Sequence, residues 1–219
     1  MRQFDYIVIG AGSAGCAVAG RLSEDPSVSV CLIEAGTQDT SPLINIPLGF
    51  MRLFDHKRLN WRYMTAPQEH ASGRSIPVPR GKVLGGSSSI NGMVYTRGHP
   101  SDYDDWARLG NPGWSFREVL PYFRRSENNE DFPDSPFHGK GGPLNVKFLD
   151  SYNPLSEVLA QAAESLQYRR NADFCGETHE GFGRRQFTQR KGRRHSAAKA
   201  FIAPARDRPN LTVLTDTLV

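Results

Sequence analysis

Cysteine is scarce in this chain. Cys16, Cys31 and Cys175 are odd in number, far apart and without CxxC spacing, which argues against a disulfide framework and against a zinc site and fits a reducing compartment. Long apolar runs are absent: no stretch of 18 or more exists, so no transmembrane segment is expected. The opening MRQFDYIVIG carries Arg2 and Asp5 straight into a strand pattern and has no signal-peptide core. The expectation is a soluble, cytoplasmic protein, with attachment to the periphery of the inner membrane left open. Charge of one sign is also lacking, since 27 basic against 23 acidic residues leave only +4, from which no acidic partner is drawn. There is no internal repeat or low-complexity tract. With 38% hydrophobic residues in 219, the chain can form one packed domain and part of a second.

Tyr6 to Ile9 is a short apolar β-rich run, Ala14 to Leu22 a small-residue helical segment, and Val28 to Ile33 a second buried strand. This β-turn-α-β opening is the unit of a doubly wound parallel sheet. Between Gln38 and Arg80, five prolines interrupt any regular element and predict extended excursions. Asp102 to Leu109 and Phe116 to Asn128 read as helices, the second with Ser115 as N-cap, Glu118 at capping-box spacing and a bend or restart at Pro121. A Pro/Gly/Asp-rich loop follows over Asp131 to Gly142, then a helix over Pro154 to Leu166. A strand and hairpin are expected over Gly181 to Arg194, a short helix over Ser196 to Ile202 and a strand over Leu211 to Leu214.

The segment Gly10-Ala11-Gly12-Ser13-Ala14-Gly15 matches GxGxxG and lies between strand and helix, where the motif has a mechanism. Gly10 permits the turn, Gly12 lets backbone approach a pyrophosphate, and Gly15 lets helix and strand pack. The helix N-terminus then offers N–H groups and partial positive charge to phosphates. Glu34 closes the second strand, placed to accept hydrogen bonds from ribose hydroxyls and to repel a 2′-phosphate. The motif alone leaves FAD and NAD both open.

A second cluster, Arg80-Gly81-Lys82-Val83-Leu84-Gly85-Gly86-Ser87-Ser88-Ser89-Ile90-Asn91-Gly92-Met93-Val94-Tyr95-Thr96-Arg97-Gly98, is too apolar and too rich in small residues for a plain surface loop. Consecutive Gly and Ser let backbone amides reach a diphosphate and a ring without side-chain clashes. This cluster resembles the signature of the glucose–methanol–choline (GMC) flavoprotein oxidoreductases. The likeness extends through Glu34-Ala35-Gly36, Asn60-Trp61, Tyr103-Asp104-Asp105-Trp106, Gly113-Trp114-Ser115, Ser196-Ala197-Ala198-Lys199-Ala200 and Arg208-Pro209-Asn210-Leu211. The later segments look like the choline- and aliphatic-alcohol-dehydrogenase branch. Asp173-Phe174-Cys175-Gly176 departs from the family's Asp-x-Asn-Gly.

The resemblance implies an α/β fold: a Rossmann-like FAD-binding domain with a central parallel sheet over 1–150, including the excursion 38–80. The start of an α+β substrate domain and a return strand would occupy 151–219. It implies that Gly10, Gly12, Ser13, Ala14, Gly15, Glu34 and Ala35 hold the ADP half of FAD. Val83, Gly85, Gly86, Ser87, Asn91, Gly92, Met93 and Val94 would line pyrophosphate and isoalloxazine, and Val219 would touch adenine. Some relatives attach FAD through a histidine at the position of Ile90, so FAD is expected to be non-covalent. The implied reaction is hydride transfer from a primary alcohol, choline-like or aliphatic, to flavin, with an electron acceptor the sequence does not name. The family's catalytic His and second His or Asn are expected beyond Val219, so no catalytic residue is assigned and the chain is expected to be an inactive fragment. Its uncovered apolar faces imply self-association.

Two readings compete: a non-catalytic FAD- or nucleotide-binding remnant, and an NAD-dependent dehydrogenase, which gives the second cluster no role. The six histidines read as surface or loop residues. Arg184, Arg185, Arg190, Lys191, Arg193 and Arg194 read as the solvated face of a strand rather than as a nucleic-acid interface. Aromatics between Phe50 and Tyr63 fit either a substrate entrance or loop packing.

Overall fold

A computed structural model describes residues 2–219. They form a mixed α/β protein in two compact units, the first combining the chain up to Met93 with Lys191–Val219, the second spanning Val94–Arg190. These bounds differ from the 1–150 and 151–219 division. The C-terminal stretch returns to the first sheet as expected, and the difference lies in residues 94–150, which join the second unit through contacts such as the pairing of Val94 with Phe187.

In the first unit, strands β1 (Tyr6–Ile9), β2 (Val30–Ile33) and β3 (Leu211–Leu214) form a parallel sheet in the order β1-β2-β3. Val30 faces both Tyr6 and Leu211 in register. Central β2 reads Val-Cys-Leu-Ile with its first three residues buried, as expected for a strand covered on both faces. Helix α1 (Ser13–Leu22) makes the crossover between β1 and β2. Its inner face carries only small residues, Cys16, Ala19 and Gly20. A Cβ on Gly20 would lie 2.9 Å from the Phe201 carbonyl oxygen, so small side chains set how closely the helix packs. Ala197, Ala198, Ile202 and Ala205 complete this core from the far end of the sequence. Asn210 Nδ2 donates to the carbonyl oxygens of Asp25 and Val28 at 2.8 Å and fixes the entry of β3.

The 38–80 region is less extended than the prolines predict. One-turn helices occupy Pro42–Asn45, Pro47–Gly49 and Phe50–Leu53. Pro42 and Pro47 sit at helix starts, where no N–H is needed. Ile44 and Leu53 from these turns join Leu59, Val83 and Ile90 in a second core cluster.

The second unit holds helices α2 (Pro100–Arg108), α3 (Phe116–Ser126) and α4 (Leu155–Ser165). Strand Glu127–Asn129 pairs parallel with Leu144–Val146, and Val94–Tyr95 antiparallel with Gln186–Phe187. The Ser115/Glu118 capping box is formed, but α3 continues through Pro121 with no restart. Pro121 is exposed, so the carbonyl it leaves without a helical donor can take water. The segment 173–176 folds as a turn in which Asp173 Oδ1 accepts from Cys175 N at 2.9 Å.

His138 overturns the surface reading of the histidines. Its side chain is buried between two carboxylates, with Nδ1 3.1 Å from Glu127 Oε1 and Nε2 2.9 Å from Asp173 Oδ2. Glu127 also accepts from Arg97 Nη2 at 2.7 Å and from Gly139 N at 2.9 Å. Burial alone pulls the imidazole pKa down, but the hydrogen bonds and charges of Asp173 and Glu127 outweigh it and push it up to about 9. His138 therefore contributes stability that is fully present below its unfolded value near 6.5, fades above it and is lost as pH rises through about 9. Thermal unfolding followed between pH 6 and pH 10 should show this decline, and His138→Gln should flatten it. Glu127→Gln should cost about 3–5 kcal/mol by leaving Arg97 and His138 buried without their shared carboxylate.

Candidate functional site

The first glycine turn is built by backbone constraints. Gly10 (φ +90°) donates its N–H to the Ile33 oxygen at 2.7 Å, tying the end of β1 to the end of β2. A Cβ on Gly15 would overlap the Gly10 carbonyl, so only glycine lets α1 start this close to the strand. Gly12 is the N-cap and has no side chain to cap α1, and the first turn holds no acidic residue. The helix N-terminus thus keeps its donors and partial positive charge for a ligand.

Glu34 is buried and does more than the ribose reading assigned it. Oε2 accepts from Ala11 N and Oε1 from Gly36 N, both at 2.8 Å. The carboxylate therefore clamps two loops, while each oxygen retains a further lone pair.

The second glycine cluster packs directly on the first. Gly85 N donates to Ala11 O at 2.8 Å, and a Cβ on Gly86 (φ +52°) would lie 2.7 Å from Gly12 Cα. Together the two turns border a cavity of about 650 Å³. Gly10, Gly12, Ser13, Glu34 and Ala35 line it from one side and Gly86 and Ser87 from the other, with Val219 also at its wall.

The remaining expected site residues stand elsewhere. Val83 is core, Gly85 (φ +90°) hinges the second turn, and Ala14 and Gly15 belong to the body of α1. Asn91, Gly92 and Met93 do not line this cavity, though Asn91 Oδ1 accepts from Met93 N at 3.0 Å. Val94 falls in the second unit, paired with Phe187.

The lining also includes residues the motifs did not assign: Trp61, Tyr63, Arg80, Gly81, Thr217 and Leu218. Trp61 and Tyr63 stack with ring centroids 5.8 Å apart and planes 6° from parallel, and Lys82 Nζ sits 4.5 Å from the Trp61 ring centroid. Arg62 between them has φ +56°, so the two rings are brought together by a left-handed backbone turn that no sequence periodicity marks. No histidine lines the cavity. Its titratable side chains are Glu34, Tyr63 and Arg80.

A strand-turn-helix dinucleotide cradle completed by a second glycine turn defines a nucleotide-binding α/β protein, and comparison with known proteins makes this specific. The model of the GMC oxidoreductase family matches residues 4–219, and the chain belongs to that family. It is 49% identical over 214 residues to alcohol dehydrogenase [acceptor] of Pseudomonas putida, an alignment covering 98% of this chain and 39% of the relative. Against the oxygen-dependent choline dehydrogenase of Sinorhizobium fredii it is 45% identical over 212 residues, covering 97% and 38%. The chain thus spans about two-fifths of the length of these curated relatives. Among solved structures, pyridoxine 4-oxidase from Mesorbium loti matches with a TM-score of 0.88 and 37% identity, over 98% of this chain and 42% of that one. Formate oxidase of Aspergillus oryzae matches at 0.86 and 31%, over 97% and 38%.

Two glycines separate folding from binding. Gly15→Ala should destabilise the chain by about 3 kcal/mol, because the clash is with backbone that no rotamer change relieves. Gly12→Ala, whose Cβ would meet nothing within 4 Å, should leave stability within about 0.5 kcal/mol. Chemical denaturation of both variants checks the contrast.

Proposed function

We propose that the first unit forms the FAD-binding part of a flavin-dependent oxidoreductase whose whole protein oxidises a primary alcohol, choline-like or aliphatic. The observation that carries this reading is the joint cavity of Gly10–Ser13, Glu34 and Gly86–Ser87. It pairs an uncapped helix N-terminus for a pyrophosphate with a carboxylate for ribose hydroxyls and a second glycine turn where backbone can approach closely. The names of the relatives, alcohol dehydrogenase [acceptor] and choline dehydrogenase, support the substrate class. Flavin supplies the hydride acceptor in such chemistry. This chain's residues bind and orient: the N-terminus of α1 faces the phosphates, Glu34 selects free ribose hydroxyls, and the Gly86 turn sets how deeply the dinucleotide seats. The second unit is assigned to the substrate side.

Non-covalent attachment is supported by Ile90, which is 1% exposed inside an apolar cluster and offers no nucleophile. A second reading, binding without turnover on this chain alone, is favoured by the absence of a histidine at the cavity and takes the general base from elsewhere in the whole protein.

Absorbance after incubation with FAD and desalting tests the proposal. The expected result is retained flavin that acid precipitation releases to the supernatant, no retention of NAD, and at least about tenfold weaker FAD binding in Gly12→Ala. A colourless chain contradicts it. Edge strand β1 leaves Tyr6, Ile7 and Ile9 exposed, so the isolated chain should self-associate. Sedimentation should show Ile7→Lys shifting it toward monomer, whereas an unchanged mass would remove β1 from the contact.

A further inference from the structure

One of the six cations between Arg184 and Arg194 departs from the solvated face expected of that run. Arg194 is 3% exposed, and among the described residues no carboxylate pairs with it. Nε donates to Ile44 O at 2.9 Å, and Nη1 donates to Ser88 O at 3.1 Å and Asn91 Oδ1 at 2.8 Å. Nη2 is buried with no partner. Burial lowers its pKa to about 10, which leaves the group charged at neutral pH.

Burying a charge without a counter-ion costs several kcal/mol, and neutral donors would satisfy the same three acceptors. What distinguishes a guanidinium here is its charge and its place. Ser88 O lies on the Gly86–Ser89 turn, whose Gly86 and Ser87 line the cavity. The Ser88 hydroxyl is held in turn by Ala197 N at 2.9 Å. Asn91 Oδ1 accepts from Met93 N as well, and Met93 has φ +63°, a conformation that needs outside support in a residue with a side chain.

We propose that Arg194 is a positioning residue for the cofactor: it fixes the second glycine turn and Asn91 from behind, and its uncancelled charge favours the more negative, reduced form of bound flavin. This rests on the FAD reading above, in which the Gly86 turn that Arg194 holds borders the dinucleotide. Two-electron reduction with uptake of one proton leaves bound flavin with one more negative charge. A fixed cation in a low-dielectric interior stabilises that form over the oxidised one.

The test is the reduction potential of FAD bound to the chain, titrated with dithionite against a reference dye, for the parent and for Arg194→Lys, Arg194→Gln and Arg194→Met. Loss of charge should shift the ratio of reduced to oxidised affinity by on the order of tenfold, which for a two-electron couple is about 30 mV downward. Arg194→Gln and Arg194→Met should both show it. Arg194→Lys, which keeps the charge but not the fork, should bind FAD more weakly while holding the ratio within about threefold of the parent. A purely structural Arg194 would alter affinity and stability and leave the potential in place, so neutral variants with the parent's potential overturn the inference. If neither neutral variant folds, Arg194→Lys is titrated from pH 7 to pH 10: a potential that falls below the parent's as the buried ammonium loses its proton supports the charge role, and one that tracks the parent's throughout overturns it. A parent chain that retains no FAD instead overturns the flavin reading, and this inference falls with it.

Discussion

The contact on which the first unit depends is between two glycine turns more than seventy residues apart. Gly85 N reaches Ala11 O at 2.8 Å, and Gly86 lies so close to Gly12 that a Cβ would come within 2.7 Å of its Cα. The two backbones meet without side chains between them, so any other residue at Gly86 would push the turns apart and open the cavity wall. Around this contact the other constraints fall into place. Gly15 brings α1 onto β1, Gly10 joins the ends of β1 and β2, and the carboxylate of Glu34 closes the loop by accepting from Ala11 and Gly36.

Buried charge is held in two ways. In the second unit, Arg97, Glu127, His138 and Asp173 form a network in which each charge faces an opposite one. Its cost in desolvation is largely offset, and its removal piece by piece is expensive. In the first unit, Glu34 rests on backbone N–H groups and Arg194 on carbonyl and amide oxygens. Neither has a counter-ion among the described residues. Both lie against the segments that form the cavity, where a ligand carrying phosphates and a redox-active ring would feel them.

Much of this was legible in the sequence because it depends on local rules. GxGxxG between strand and helix fixes β1, α1 and the open N-terminus, an apolar tetrad fixes β2, and Ser115 with Glu118 fixes the start of α3. The capping box forms as read. What was not legible depends on residues distant in sequence. The burial of His138 is decided by Asp173, 35 residues away, and that of Arg194 by Ile44 and Asn91, 150 and 103 residues away. Composition places arginine and histidine at the surface by default, and no periodicity marks the exceptions. The return of β3 to β2 was expected from the sequence, whereas the grouping of residues 94–150 with the segment after them rests on distant contacts such as Val94 with Phe187 and Asn129 with Gln186. Half of the expected site residues line the cavity, while Val83, Gly85 and Gly15 act on its shape from behind.

The most direct test of a cradle made jointly by the two turns is amide hydrogen exchange on the chain with and without FAD. Slowed exchange is predicted in both the 10–16 and the 81–89 segments, with little change in α4. Protection confined to one turn, or absent from both despite bound flavin, would contradict the account.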